Sequence, residues 1–384
     1  MLNIGVVIKV VLSIALCCNY KELYPRDMKT YNPGCKSCKN TLYVLLLILF
    51  CLCVSCESNS PDYEGGIKIN VDVDEAVPLI GNIGDLEVVR LDVSTPAFPG
   101  EVTSASFGKD YFVLLDAFTA KGVYGYDYDG KQIFAYKQLG RGPKEVLGFN
   151  DVQIYGDSVF VFDNTMNRII ILDKAGEYVS KIEDCPVGSH FFAIDEEGDM
   201  YFDHVNNTLA EGGFNLTYIK ANGSRKGIAP IREEVKDVTL ASAHSLTNAG
   251  GKVSYMMPST PIVLECSGEK TNVRYCFDFG RYWPDETVLQ SGRHPYLILQ
   301  DLKNGDWVRE LRFVESEDLC CASFLVANSC YYFVYDKLVG KGKTFIMEDK
   351  DKFSHPLGFD TYGRLVLTTR SETPSIVYCT VQKL

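Results

Sequence analysis

The sequence predicts an all-β protein, a six-bladed β-propeller with four-stranded blades whose ring is closed by an N-terminal strand. Three observations carry that prediction. Short runs of apolar, β-branched and aromatic residues fill most of the 384 residues, each closed by Gly, Asn or Asp, and almost nothing reads as helix. The runs recur with a period of about 46 residues, a length that belongs to propeller blades rather than to sandwich strands. The two ends are complementary, because the last unit stops one strand short and a spare strand stands ahead of the first. The 23 Tyr and 21 Phe suit packed sheets.

The first unit is SFGKDYFVLLDAFTAKGVYGYDYDGKQIFAY (Ser106–Tyr136) and the second QIYGDSVFVFDNTMNRIIILDKAGEYVSKI (Gln153–Ile182). Both run as a turn, an apolar strand ending in Asp, a short loop, a second strand, a Gly turn and a third strand. The third unit joins AIDEEGDMYFDHVNN to FNLTYIKANGSRKGI, and the turn residues Gly130, Gly176, Gly223 and Gly268 keep the period into the fourth, VSYMMPSTPIVLECSGEKTNVRYCFDFG. The fifth unit begins at Cys320 and contains Asp336; the sixth runs from His355 to the end. The spare strand DLEVVRLDVS (Asp85–Ser94) is predicted to complete the last blade and so remove an exposed sheet edge. The weaker strand IKINVDVD (Ile67–Asp74) is expected to extend the same closure. Asp116, Asp163, Asp203 and Asp336 are read as hairpin fasteners rather than as a ring of metal ligands, because Asp bonds nearby backbone N–H groups and strand ends of separate blades lie far apart.

The N-terminus has a different character. Residues 1–56 carry 6 Lys/Arg and 2 Asp/Glu, which leaves 32 against 48, a charge of −16, for residues 57–384. A body this acidic repels a phosphate backbone, so nucleic acid is not an expected partner. The apolar run Leu42–Val54 is too short to span a bilayer core and suits the h-region of a signal peptide, with Lys29, Lys36 and Lys39 ahead of it. Leu52-Cys53-Val54-Ser55-Cys56 resembles a bacterial lipobox with Cys56 as the acylated residue, although Cys53 stands where the usual Leu would be; an ordinary signal-anchor helix is the competing reading. Translation from Met28 gives the cleaner signal, which makes residues 1–27 an upstream extension. The expected organisation is therefore 1–56 extension and lipoprotein-type signal peptide, 57–84 tether and entry strand, 85–384 propeller. Seven cysteines lie in the body, too few and too scattered for a disulfide framework, and they are expected to be small buried thiols.

LGRGPKE after the first unit, FVFDNTMNRIIILDKAGEYV in the second and SYMMPSTPIVLECSGEKTNVRYCFDFG in the fourth resemble the six-bladed β-propeller lipoproteins of gut Bacteroidota, and the units resemble the NHL type of propeller. That family often shows G-R-G-P-G-E at this junction, and here Lys144 replaces its last Gly. The likeness covers roughly residues 85–384. It implies a propeller fold and a location in the cell envelope, and it carries no common chemistry onto particular residues.

No catalytic spacing is present. Asp278-Phe279-Gly280 spells a kinase DFG without its companion motifs, the five histidines show no HExxH or HxH spacing, and no GxSxG elbow exists. QLGRGPKE lacks the spacing and hydroxyl of a phosphate-binding loop and leads into a strand rather than a helix. Its Arg141, Lys144 and Glu145 are either a structural lock between blades or first contacts for a ligand in the channel. Two insertions interrupt the repeat, Ile231–Gly250 and Arg281–Leu311, and the second holds Trp283, Arg293, His294 and Trp307. Long loops on a rigid ring commonly carry binding, and Trp and Arg dominate hot spots; packing against a blade edge is the alternative role. The expected function is that of a lipid-anchored envelope module, outer-membrane or periplasmic, binding a protein, peptide or glycan without catalysis. The alternative is a calcium-dependent lactonase- or lyase-like propeller enzyme, with calcium as its cofactor and its site in the central channel.

Overall fold

The computed structural model describes residues 65–382 except 96, 208–210, 237, 239–243, 286, 290–291, 348–352 and 370–374. The signal segment, Cys56 and most of the tether lie outside the described residues. The chain begins with three short strands, β1 (Ile67–Asn70), β2 (Val77–Pro78) and β3 (Gly84–Arg90). Blade one follows as β4–β7 (Ser104–Phe107, Tyr111–Asp116, Gly122–Asp127, Gln132–Tyr136). Blade two is β8–β11 (Asp151–Tyr155, Ser158–Asp163, Arg168–Asp173, Tyr178–Ile182), and blade three is β12–β15 (Phe191–Ile194, Met200–Asp203, Phe214–Ile219, Arg225–Pro230). Blade four is β16–β19 (Leu246–Ala249, Lys252–Met256, Ile262–Ser267, Lys270–Asp278), and blade five is β20–β23 (Arg309–Glu315, Leu319–Val326, Ser329–Asp336, Lys341–Met347). Blade six has only β24–β26 (Gly358–Phe359, Leu365–Thr368, Ser375–Val381) of its own.

Each blade is an antiparallel meander, and the sixth is completed by β3, which pairs antiparallel with β26 from Gly84↔Val381 to Arg90↔Ser375. This is the closure that the spare N-terminal strand predicted. β1 departs from expectation. It pairs parallel with β19 on the outer edge of blade four, and β2 does the same with β23 on blade five. The N-terminal segment is therefore a strap along three successive blades, because Ile69, Val71, Leu79 and Ile83 find apolar cover at each step.

The core is divided accordingly. Six apolar clusters each lie between two neighbouring blades, such as Val113, Leu115, Val152 and Val161 between blades one and two. A blade enclosed on both faces buries its middle strands on both sides, and Tyr111–Asp116, the second strand of blade one, is buried throughout. The inner strands β4, β8, β12, β16, β20 and β24 adjoin one another around the central channel. The up-and-down order places the blade-to-blade loops and the turns between second and third strands on one face, and the remaining turns on the other.

Two further differences follow. Asp336 ends the third strand of its blade, not the second, so it fastens the opposite-face turn through Leu338 N and Val339 N, as Asp127 and Asp173 do in theirs. The second insertion also contains a helix that the sequence did not announce, α1 (Pro295–Asn304), with a Pro in its first turn and His294 as N-cap. The seven body cysteines form no disulfide among the described residues, and all but Cys276 are buried.

Candidate functional site

At the entry of β8, the fully buried Asp151 carboxylate gathers donors from four consecutive blades. Ser104 Oγ of blade one donates at 3.0 Å, the Val152 N–H of its own blade at 2.8 Å and the Phe192 N–H of blade three at 3.0 Å. His244, just ahead of β16, brings Nε2 within 3.0 Å of both oxygens. Burial opposes a charge on His244, but the Asp151 carboxylate outweighs it and raises the imidazole above its ordinary pKa. Next to it, Asp203 is buried and accepts from Ser245 Oγ, from Tyr255 OH at 2.8 Å and from the Val205 N–H at 2.9 Å. Here burial outweighs these hydrogen bonds, and the carboxyl sits above the usual range.

At the opposite end of the channel, Glu315 closes β20 with no side-chain exposure. It meets Lys337 Nζ at 2.7 Å, Arg274 at 3.3 Å and the Ser254 hydroxyl. A buried carboxylate with three donors is locked in place, and its partners are committed with it.

Between these two groups the channel holds a cavity of about 600 Å³. Its polar walls include Ser104 and Ser106 of β4, Gln153 of β8, Thr247 and Asn248 of β16 and Arg312 of β20. On the loop face a second cavity of about 230 Å³ lies between α1, the Met256–Thr260 turn of blade four and the start of β20. Its walls are mainly apolar, with Met256, Met257, Trp283, Leu302, Val308 and Leu311. His244 borders both cavities.

The residues singled out in the sequence separate into distinct roles. Glu145 Oε2 accepts the Gly142 N–H at 2.7 Å and its carboxyl packs where a Cβ on Gly140 would stand, so it closes its own turn. Arg168 of β10 fixes the same turn from blade two by donating to the carbonyls of Gly142 and Glu145. Lys144 lies 5.2 Å from the Tyr178 ring centre, Arg141 is exposed, and none of these residues borders either cavity. Arg293 is engaged by the Thr287 and Val288 carbonyls and by Asp301 at 2.5 Å, which fastens the insertion to its own helix. His294 Nδ1 accepts the Tyr296 N–H. Trp307 packs over Gly305 and against an apolar cluster that the insertion shares with Val235 and Val238 of the first insertion. Trp283 joins that cluster, stacks on Phe279 with centres 5.7 Å apart, and alone of the seven described candidates lines one of these two cavities. Asp151, His244 and Arg312 were missed. No motif marks them, since Asp151 and His244 stand 93 positions apart and meet only through the ring.

Comparison with known proteins agrees with this architecture. A family model described as a 6-bladed beta-propeller matches residues 69–359. Among solved structures, a candidate exported protein from Bacteroides fragilis aligns with a TM-score of 0.70 at 12% identity, over 83% of this chain and 100% of that one. A member of the duf4221 family from Bacteroides vulgatus aligns at 0.52 and 10% identity, over 79% of this chain and 100% of its own. Likenesses at such identities carry the fold and nothing of the chemistry. No curated protein matches significantly.

Proposed function

Because the chain belongs to the 6-bladed beta-propeller family, matched over residues 69–359, we propose that it is a binding or scaffold module of the bacterial cell envelope that takes a protein, peptide or glycan at its channel. The observation that carries the reading is the channel itself: a polar cavity of about 600 Å³, with a second, mainly apolar pocket under an insertion that shares His244 as a wall. A rigid ring presenting a concave site under long loops is the usual arrangement for recognition. The signal-like segment ending at Cys56 and the likeness to a candidate exported protein support the envelope location, and a lipid on Cys56 is the proposed anchor. The NHL-like repeat belongs to the same proposal.

The calcium-dependent enzyme reading calls for carboxylate or amide oxygens converging on one point. Among the described residues no group of three or more His, Cys, Asp or Glu is placed to hold a metal, so no specific observation favours it.

The test has two arms. In a Gram-negative host, labelled palmitate is expected on the full chain and the protein in the membrane fraction, with both lost in Cys56→Ser. For binding, residues 57–384 are expected to capture members of a peptide, protein or glycan array, with capture weakened by Arg312→Ala. Empty arrays together with calcium-dependent turnover of a lactone or glycan would overturn the binding-module reading.

A further inference from the structure

The pocket beneath α1 differs from the channel in both size and chemistry. Of its walls, Met256 and Met257 come from blade four, Trp283 and Leu302 from the insertion, and Val308 and Leu311 from the entry of blade five, so three separate chain segments build it. Its volume of about 230 Å³ exceeds the ~150 Å³ at which a dry apolar cavity accepts benzene, and falls far short of a folded segment or an oligosaccharide. Thioethers and an indole favour an aromatic guest, since sulfur–ring and ring–ring contacts add to area burial. Sugar hydroxyls entering the same walls would lose their hydrogen bonds to water and find few replacements. The adjoining channel has the opposite character. Gln153 and Thr247 present an amide and a hydroxyl that match the donors and acceptors of a peptide backbone, beside Ser104, Ser106 and Asn248, which hydrogen-bond within the ring. His244, held by Asp151, lines both spaces and is a quarter exposed.

We propose that this pocket is the anchor site for one aromatic side chain of a peptide whose backbone lies in the channel. The inference rests on the binding-module reading and narrows its ligand to a peptide bearing Phe, Tyr or Trp. Trp283 is one of only two tryptophans, so its fluorescence reports on the pocket directly once Trp307→Phe removes the other.

The experiment uses residues 57–384 with the blocked peptides acetyl-Gly-Phe-Gly-amide and acetyl-Gly-Ala-Gly-amide, the free ring p-cresol and the disaccharide maltose. The Phe peptide and p-cresol are expected to change Trp283 emission, and the Phe peptide to bind about tenfold or more tighter than the Ala peptide. Leu302→Phe fills the pocket and is expected to bring the two peptides to equal affinity; Met257→Phe serves the same purpose if that variant does not fold. Equal affinity of the two peptides for the unfilled protein would overturn the inference. So would binding of the Phe peptide that persists undiminished in both filled variants. Maltose bound in place of peptide would leave the binding-module reading standing and remove the aromatic anchor. Binding of p-cresol that Leu302→Phe blocks, with no peptide or glycan captured at all, would overturn both the peptide assignment and the module reading while keeping an aromatic pocket.

Discussion

Asp116, Asp163 and Asp203 occupy one position of the repeat, the end of a blade's second strand, and the donors around them decide what each becomes. Asp116 receives the N–H groups of Gly100, Glu101, Phe118, Thr119 and Ala120, and these backbone bonds outweigh its burial and hold its pKa below the ordinary carboxylate range. Asp163 likewise accepts backbone N–H groups, those of Leu147, Thr165 and Met166. At Asp203 burial outweighs its hydrogen bonds, and the carboxyl is raised instead. Its neighbour His204 gives a pH prediction. Burial lowers its pKa from 6.5 to about 4, with Nε2 2.8 Å from Thr217 Oγ1. Between those two values the unfolded chain binds a proton that the folded one refuses, so stability falls as pH drops from 6.5 towards 4, by about 3 kcal/mol for this residue. His204→Gln keeps a hydrogen-bonding side chain without titrating. Urea midpoints measured across that range are expected to fall less steeply in the variant; an unchanged slope would refute the assignment.

At the scale of elements, β3 shows how closely closure is specified. Gly84 has φ +139°, and a Cβ there would stand 2.0 Å from the Thr380 carbonyl oxygen of β26. No side chain fits without opening the pair at its first rung. Gly84→Ala is expected to cost about 2 kcal/mol or more in urea unfolding, with the loss coming from the closing blade. A midpoint equal to wild type would show that the β3–β26 rung does not bear on stability. α1 carries the opposite lesson. Its ten residues lie within an insertion, Ile298 and Leu302 turn inward, and Tyr296, Leu297 and Leu299 remain about half exposed, so no clean apolar stripe announced it.

For the whole molecule, the ring makes each blade depend on two neighbours. Six interblade clusters leave no blade with an apolar face that it buries alone, and β3 is the one strand that carries the sequence's beginning to its end. A chain beginning at residue 95 loses β1, β2 and β3 together, which bares the edge of β26 and uncovers Leu365, Val377 and Cys379. Such a chain is expected to associate in size-exclusion chromatography and to unfold over a broader range than residues 57–384, and a synthetic peptide of residues 82–94 to restore part of the sharp transition. A truncated chain that stayed monomeric and equally cooperative would show that the ring closes without the strap.

Alternation, turn residues and the period of about 46 were enough to read the class, the blade number and the closing strand from sequence, because each blade buries its own strands by a local rule that every repeat must obey. The repeat could also say where loops would be long. It could not say which side chains meet in the channel. Asp151 joins Ser104, Phe192 and His244 only because the ring brings the inner strands of consecutive blades side by side, and β1 rests on the edge of blade four while β3 takes the closing edge of blade six. Contacts across a ring depend on its curvature, and curvature is a property of six packed blades together rather than of any one of them.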